Sequence, residues 1–76
     1  KARPEIKCDV VKEFGVISEN AKNGWTRELN LVSWNDREPK YELRDWSADK
    51  SKMNKGFSMT ADEVKNLRDL LNSIDL

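Results

Sequence analysis

Apolar and polar residues alternate along most of this chain, and the alternation gives way to a helical period only near its end. Over residues 5–18, Ile6, Cys8 and Val10 alternate with polar neighbours, and then the phase shifts through Phe14, Val16 and Ile17. A period of two predicts a strand, and Gly15 beside the phase shift predicts a bulge or bend. The first strand is therefore expected to be bent or broken in two. Residues 19–24, ENAKNG, read as a turn in which Asn23-Gly24 favours positive φ. Residues 25–35 form a second strand, with Leu29 and Leu31 on one parity and Asn30, Val32 and Trp34 on the other. A polar loop, NDREP at 35–39, leads to a third strand over 41–46, paired antiparallel to the second. Trp34 and Tyr41 are expected to flank that loop as an aromatic pair. Leu43 points toward a core, while Arg44 and Trp46, two residues apart, share the opposite face.

Residues 47–55 are polar and rich in lysine, Gly56 is expected to let the chain turn, and residues 55–59 form a short fourth strand. Thr60-Ala61-Asp62-Glu63 has the form of a capping box, and Asp62 and Glu63 oppose the positive end of a helix dipole. Val64, Leu67, Leu71 and Ile74 then recur at helical spacing, with Leu70 widening the stripe. The pattern predicts an α+β domain over residues 1–76: a four-stranded antiparallel sheet followed by a C-terminal helix. Residues 1–4 are expected to form a loose basic arm.

At 76 residues the chain buries only about 60% of its unfolded surface and is marginal alone. One cysteine and no histidine leave neither an intrachain disulfide nor a zinc site to support it, so self-association is the expected remedy. Cys8 reads as a small apolar strand residue, and a lone thiol fits a reducing, cytoplasmic setting. No apolar run approaches the ~20 residues of a membrane span, and the first residues hold no hydrophobic signal core.

Fourteen basic and fourteen acidic residues give zero net charge, but the charges are segregated. Lys50, Lys52 and Lys55 cluster in the loop, while Asp62, Glu63, Asp69 and Asp75 lie on or near the helix. Catalysis is not expected: the commonest general base is missing, and neither a glycine-rich phosphate loop nor a serine nucleophile motif is present. Asp45 and Asp49 read as solvated loop charge rather than a carboxylate pair. With Asp62 they also lack calcium-loop spacing, so neither metal nor cofactor is expected.

Three tryptophans are many for so small a core. Trp34 and Trp46 share parity with Arg44 and are expected on an open face. Trp25 shares parity with Leu29 and Leu31, which places it on the core side unless the strand is bulged. A guanidinium beside an indole, near flexible lysines, suits single-stranded nucleic acid: cations neutralise phosphates and the indole offers a base a stacking surface. The plainer alternative is that Arg44 merely covers Trp46 on an ordinary surface.

LRDWS at 43–47, KMNKGFSMT at 52–60 and the amphipathic helix together resemble the single-stranded-DNA-binding domain of the transcriptional positive cofactor four family. SENAKNGWTRE at 18–28, VSWN at 32–35 and KMNKG at 52–56 are most similar to its short bacterial, YdbC-like members, and the likeness covers roughly residues 9–72. The resemblance implies a strongly curved sheet and a homodimer formed through Val64, Leu67, Leu70, Leu71 and Ile74. It further implies a nucleic-acid face drawn from Trp25, Arg27, Trp34, Lys40, Arg44, Trp46, Lys50, Lys52 and Lys55. Three departures matter: Trp46 is followed by Ser47 where nuclear members place an aromatic before the tryptophan, the basic loop is shorter, and the long serine-rich regulatory arm of those members is missing from this sequence.

The function expected is sequence-tolerant single-stranded DNA binding by a nucleoid-associated homodimer in transcription, replication or repair. Single-stranded RNA stays open as a ligand, because no residue obviously reads a 2′-hydroxyl. The rival reading is a protein-interaction module docking a transcription-related partner on its sheet face.

Overall fold

The computed structural model describes residues 7–76. The expected arm at 1–4 and the strand position of Ile6 lie outside the described residues. Four strands, β1 (Cys8–Glu19), β2 (Thr26–Trp34), β3 (Lys40–Trp46) and β4 (Phe57–Met59), precede one helix, α1 (Ala61–Asn72). The strands form an open antiparallel sheet in chain order, β1-β2-β3-β4.

Each connection has a local cause. Gly24 adopts φ +77° at the end of the first turn, where its lack of a Cβ removes the steric penalty. Asn35 and Asp36 both take positive φ, 54° and 62°, as the tight β2–β3 hairpin requires. β1 is one continuous strand rather than two, because bulges absorb its phase shifts. The register slips between Val10 and Lys12, Glu13 and Gly15, and Val16 and Ser18, so the break expected near Gly15 is one of three. At α1 the capping box closes in both directions: Thr60 Oγ1 accepts from the Glu63 amide at 3.1 Å, and Glu63 Oε1 accepts from the Thr60 amide at 2.8 Å.

Register divides the sheet into two faces. Thr26, Glu28, Asn30 and Val32 of β2 lie opposite Trp46, Arg44, Glu42 and Lys40 of β3, and alternation puts Trp34 on this same side. Arg27, Leu29 and Leu31 lie opposite Asp45, Leu43 and Tyr41 on the other. Trp34 and Tyr41 therefore do not pair. The hairpin sets Leu31 against Tyr41, which separates the two rings onto opposite faces, and Tyr41 instead stacks on Phe14 with ring centroids 5.5 Å apart.

The parities are as the sequence implies, but burial is not. Leu29, Leu31, Tyr41 and Leu43 are only half-buried. Tighter burial falls on Glu28, Asn30, Val32, Glu42 and Trp46 of the polar face. Glu42 is enclosed by Arg44 and Trp34, and Glu28 and Trp46 by the 47–55 segment. The Ser47 amide donates to the Lys52 carbonyl (2.9 Å), the Asn54 amide donates to the Asp45 carbonyl (3.0 Å), and Lys50 reaches back to Glu28, closing the loop against the polar side. The helix meets the sheet at β3 and has no buried residue.

Glu42 is the most enclosed charge, with 2% of its surface exposed. Burial alone would raise its pKa. Hydrogen bonds from Arg44 and Trp34, together with the Arg44 charge, outweigh that and hold the carboxyl below the ordinary glutamate range. Because the folded-state value is depressed, the stabilisation is complete above the unfolded value and is lost as pH falls through the folded one. Urea unfolding midpoints measured from neutral pH downward should therefore fall through the carboxylate range. Glu42→Gln should lose about 2 kcal/mol at neutral pH and show a shallower acid decline. An unchanged acid limb in that variant would show that other carboxylates govern it.

Candidate nucleic-acid interface

Three side chains on the polar face form one rigid unit. Arg44 Nε donates to Glu42 Oε1 at 2.7 Å and its Nη2 donates to Oε2 at 2.9 Å, a bidentate pairing. Trp34 Nε1 donates to the same Oε2 at 2.9 Å. The guanidinium lies 5.1 Å from the centre of the Trp34 ring, within cation–π range. Arg44 Nη1 also donates to the Asn54 carbonyl at 2.6 Å, tying the unit to the lysine-bearing loop.

Gly56 completes the arrangement by being small. Its expected role was a turn, but its φ does not lie in the left-handed region. A Cβ at this position would sit 2.6 Å from Arg44 Cζ and Nε, so the guanidinium occupies the space a side chain would need.

The expected interface residues do not form a single surface. Trp34, Lys40, Arg44, Trp46 and Lys50 gather on the polar side. Trp34 is half-buried and borders a cleft of about 270 Å³ with Val32, Arg37, Glu38, Lys40 and Ser58. Trp46, expected with its ring open, is only 9% exposed because the returning loop covers it, so no base can lie flat on its ring as the protein stands. Arg44 is likewise held by Glu42 and Asn54 rather than projecting toward solvent. Lys50 pairs with Glu28. Lys52 and Lys55 are exposed and form no ion pair among the described residues.

Trp25 and Arg27 belong to the other side. Trp25 is half-buried just before β2 and lines a cleft of about 450 Å³ with Arg27, Asp45 and Asn54. A second cleft of about 490 Å³ joins Arg27, Leu43, Asp45, Lys55 and Phe57. Arg27 Nε donates to Asp45 Oδ1 at 2.8 Å, and that bond holds the Asp45 carboxyl below its usual range. Asp49 is lowered further, to about 2, by hydrogen bonds from the Ser51 hydroxyl and amide and the Ser47 hydroxyl; it organises the loop.

Sequence reasoning passed over Glu28, Asn30, Arg37 and Glu42. Glu28, Asn30 and Glu42 share the parity of Val32, Trp34 and Arg44, and that placement was the available signal. Among the described residues no group of three potential metal ligands occurs, and no helix is long and apolar enough to cross a membrane. Of the expected dimer residues, Leu67, Leu70, Leu71 and Ile74 are exposed and Val64 is half-buried.

Two comparisons bear on this geometry. The chain is 50% identical over 72 residues to an uncharacterized protein of Treponema pallidum (strain Nichols), covering 95% of this chain and 84% of that one. The family model described as Transcriptional Coactivator p15 (PC4) matches residues 21–70, a span holding β2, β3, β4, the lysine-bearing loop and most of α1. The chain therefore belongs to the Transcriptional Coactivator p15 (PC4) family, whose members bind nucleic acid, act in transcription and are not enzymes.

Proposed function

We propose that this protein binds single-stranded DNA as a homodimer, with sequence tolerance, by stacking a base on Trp34 and neutralising phosphates with exposed lysines around the sheet rim. The observation that carries the reading is the Trp34–Glu42–Arg44 unit. An indole whose N–H, ring face and neighbouring cation are all fixed loses little freedom when a base stacks on it, and pre-organisation of this kind favours binding. Lys40, Lys52 and Lys55 are exposed and serve as phosphate contacts. Arg44 acts through Trp34, as a positioning residue. Lys50 joins the phosphate contacts when a phosphate displaces Glu28. Trp46 takes part through its edge, and Trp25 with Arg27 extends the path around the sheet rim.

The homodimer rests on unburied apolar surface. Leu70 is 63% exposed and Leu67, Leu71 and Ile74 are also exposed, as are Val11, Val16 and Ile17 of β1. So much apolar surface on a small domain marks an association surface. Sedimentation should find a dimer at micromolar concentration, and Leu71→Asp should give monomers or unfolded chains. A folded wild-type monomer under those conditions would refute the dimer.

Salt titrations with one oligo-dT separate the two energies. Trp34→Ala should weaken binding by about 1–3 kcal/mol with little change in salt slope, and Trp34→Phe should recover much of the loss. Changing both Lys52 and Lys55 to Ala should flatten the slope of log affinity against log salt by roughly 1.4. A flattened slope in the tryptophan variants alone would reverse these roles. Duplex DNA should compete poorly, since stacking needs unpaired bases; equal competition by duplex would remove stacking as the mechanism, and equal binding of RNA would widen the ligand class.

Gly56→Ala tests the positioning unit without touching the tryptophan. The displaced atoms are the end of a flexible side chain, so the protein should fold, but Arg44 must leave its bonds to Glu42 or Asn54. Affinity should fall several-fold at an unchanged salt slope, accompanied by a shift in tryptophan emission. Wild-type affinity in this variant would show that Arg44 does not position Trp34.

A further inference from the structure

The sheet ends at β4, and the ladder joining β4 to β3 stops at the pair Leu43 and Phe57. One residue before Phe57, Gly56 leaves its space to the Arg44 guanidinium, so the edge carries no side chain there. A cleft of about 490 Å³ opens at this point, lined by Phe57, Lys55, Leu43, Arg44 and the Arg27–Asp45 pair. Residues of both sheet faces meet in it. Arg44 belongs to the Trp34 unit on the polar face, while Leu43 and Arg27 belong to the opposite one. β4 makes the same division: Phe57 lines this cleft and Ser58 lines the Trp34 cleft.

Phe57 is 64% exposed, more than any other aromatic residue among those described. Phe14 stacks on Tyr41, the loop covers Trp46, and Trp25 and Trp34 are half-buried. The charges around Phe57 are compensated, with one exception. Arg27 donates to Asp45, the cleft's one carboxylate, at 2.8 and 3.2 Å. Arg44 donates twice to Glu42. Lys55 forms no ion pair among the described residues. The cleft therefore offers an open ring, the apolar side chain of Leu43 and one uncompensated cation. An anion reaches Lys55 without displacing an internal carboxylate, unlike at Lys50, which is paired with Glu28.

We propose that Phe57 is a second base-stacking residue, with Lys55 holding the adjacent phosphate, and that one strand reaches it from Trp34 by passing round the β4 edge. The proposal rests on the single-stranded-DNA reading above. The ligand must bring a flat ring and an anion together. A nucleotide unit of a single strand supplies both, whereas inorganic phosphate lacks the ring and an apolar protein surface lacks the anion. A duplex offers phosphates but keeps its base faces stacked on one another. Stacking on Phe57 is tolerant of sequence, because every base has a π-face. The path follows from the edge itself. Arg44 is shared by the Trp34 unit and the Phe57 cleft, and neighbouring residues of β4 line the two clefts.

The test measures binding of fluorescent oligo-dT to the intact protein, with sedimentation of the same samples. Phe57→Leu, which keeps apolar bulk but removes the ring, should weaken binding roughly fivefold or more at an unchanged salt slope. Phe57→Trp should bind at least as tightly as wild type. Lys55→Ala alone should flatten the slope of log affinity against log salt by roughly 0.7. In a Trp34→Ala background, Phe57→Leu should cost the same factor again, because the two rings hold different bases. Wild-type affinity in Phe57→Leu would overturn the proposal. Disappearance of its effect in the Trp34→Ala background would also overturn it, since Phe57 would then act only through the Trp34 unit. Phe57→Ser should sediment as wild type does; a shift toward monomer would assign Phe57 to the subunit interface and overturn the proposal as well. Failure of wild type to bind oligo-dT would instead overturn the single-stranded-DNA reading, and this proposal with it.

Discussion

The buried carboxylate of Glu42 is the constraint on which the rest of the polar face depends. A charge removed from water must be compensated by partners that cannot leave cheaply. Glu42 meets that demand with two bonds from Arg44 and one from Trp34. Those bonds fix the Trp34 ring and spread Arg44 toward the Asn54 carbonyl. The guanidinium then occupies the volume beside Gly56, so the character of four separate positions follows from one ionised group.

The same economy explains how a chain of zero net charge can belong to a nucleic-acid-binding family. Carboxylates are consumed internally: Glu42 by Arg44, Glu28 by Lys50, and Asp45 by Arg27. Lys40, Lys52 and Lys55 stay exposed, so total charge does not describe which cations are open to solvent. On the proposed reading an internal pair also tempers binding, since a phosphate approaching Lys50 would have to displace Glu28. The cations nearest the loop are therefore of two kinds, those already neutralised and those open to a ligand, and composition does not distinguish them.

Apolar surface is distributed as unevenly as charge. A single chain encloses Val32, Trp46 and Met59 and leaves the α1 stripe and much of β1 in contact with water. α1 has a complete cap and no interrupting residue, yet a helix of 12 residues is marginal without tertiary packing, and a single chain buries none of its residues. The half-buried leucines opposite the polar face belong to the same picture: elements are well defined locally, while their covering is incomplete.

Local chemistry was enough to read the elements from the sequence. Period-two alternation defined the strands, Asn23-Gly24 the first turn, and Thr60 with Glu63 the start of the helix. The parity that groups Arg44 with Trp34 and Trp46 follows from the pleat alone, and the quoted motifs pointed to the family the comparisons show. Three things needed the tertiary structure, each because it depends on contacts between distant segments. Trp46 is covered because the 47–55 loop returns over it. Gly56 is required by a guanidinium twelve positions away rather than by its own φ. Arg44 and Lys50 are paired inward because Glu42 and Glu28, adjacent only through strand alternation and loop return, are buried beside them. Alternation assigns a residue to a face, but which face is enclosed depends on what folds over it, and that is a property of the whole chain.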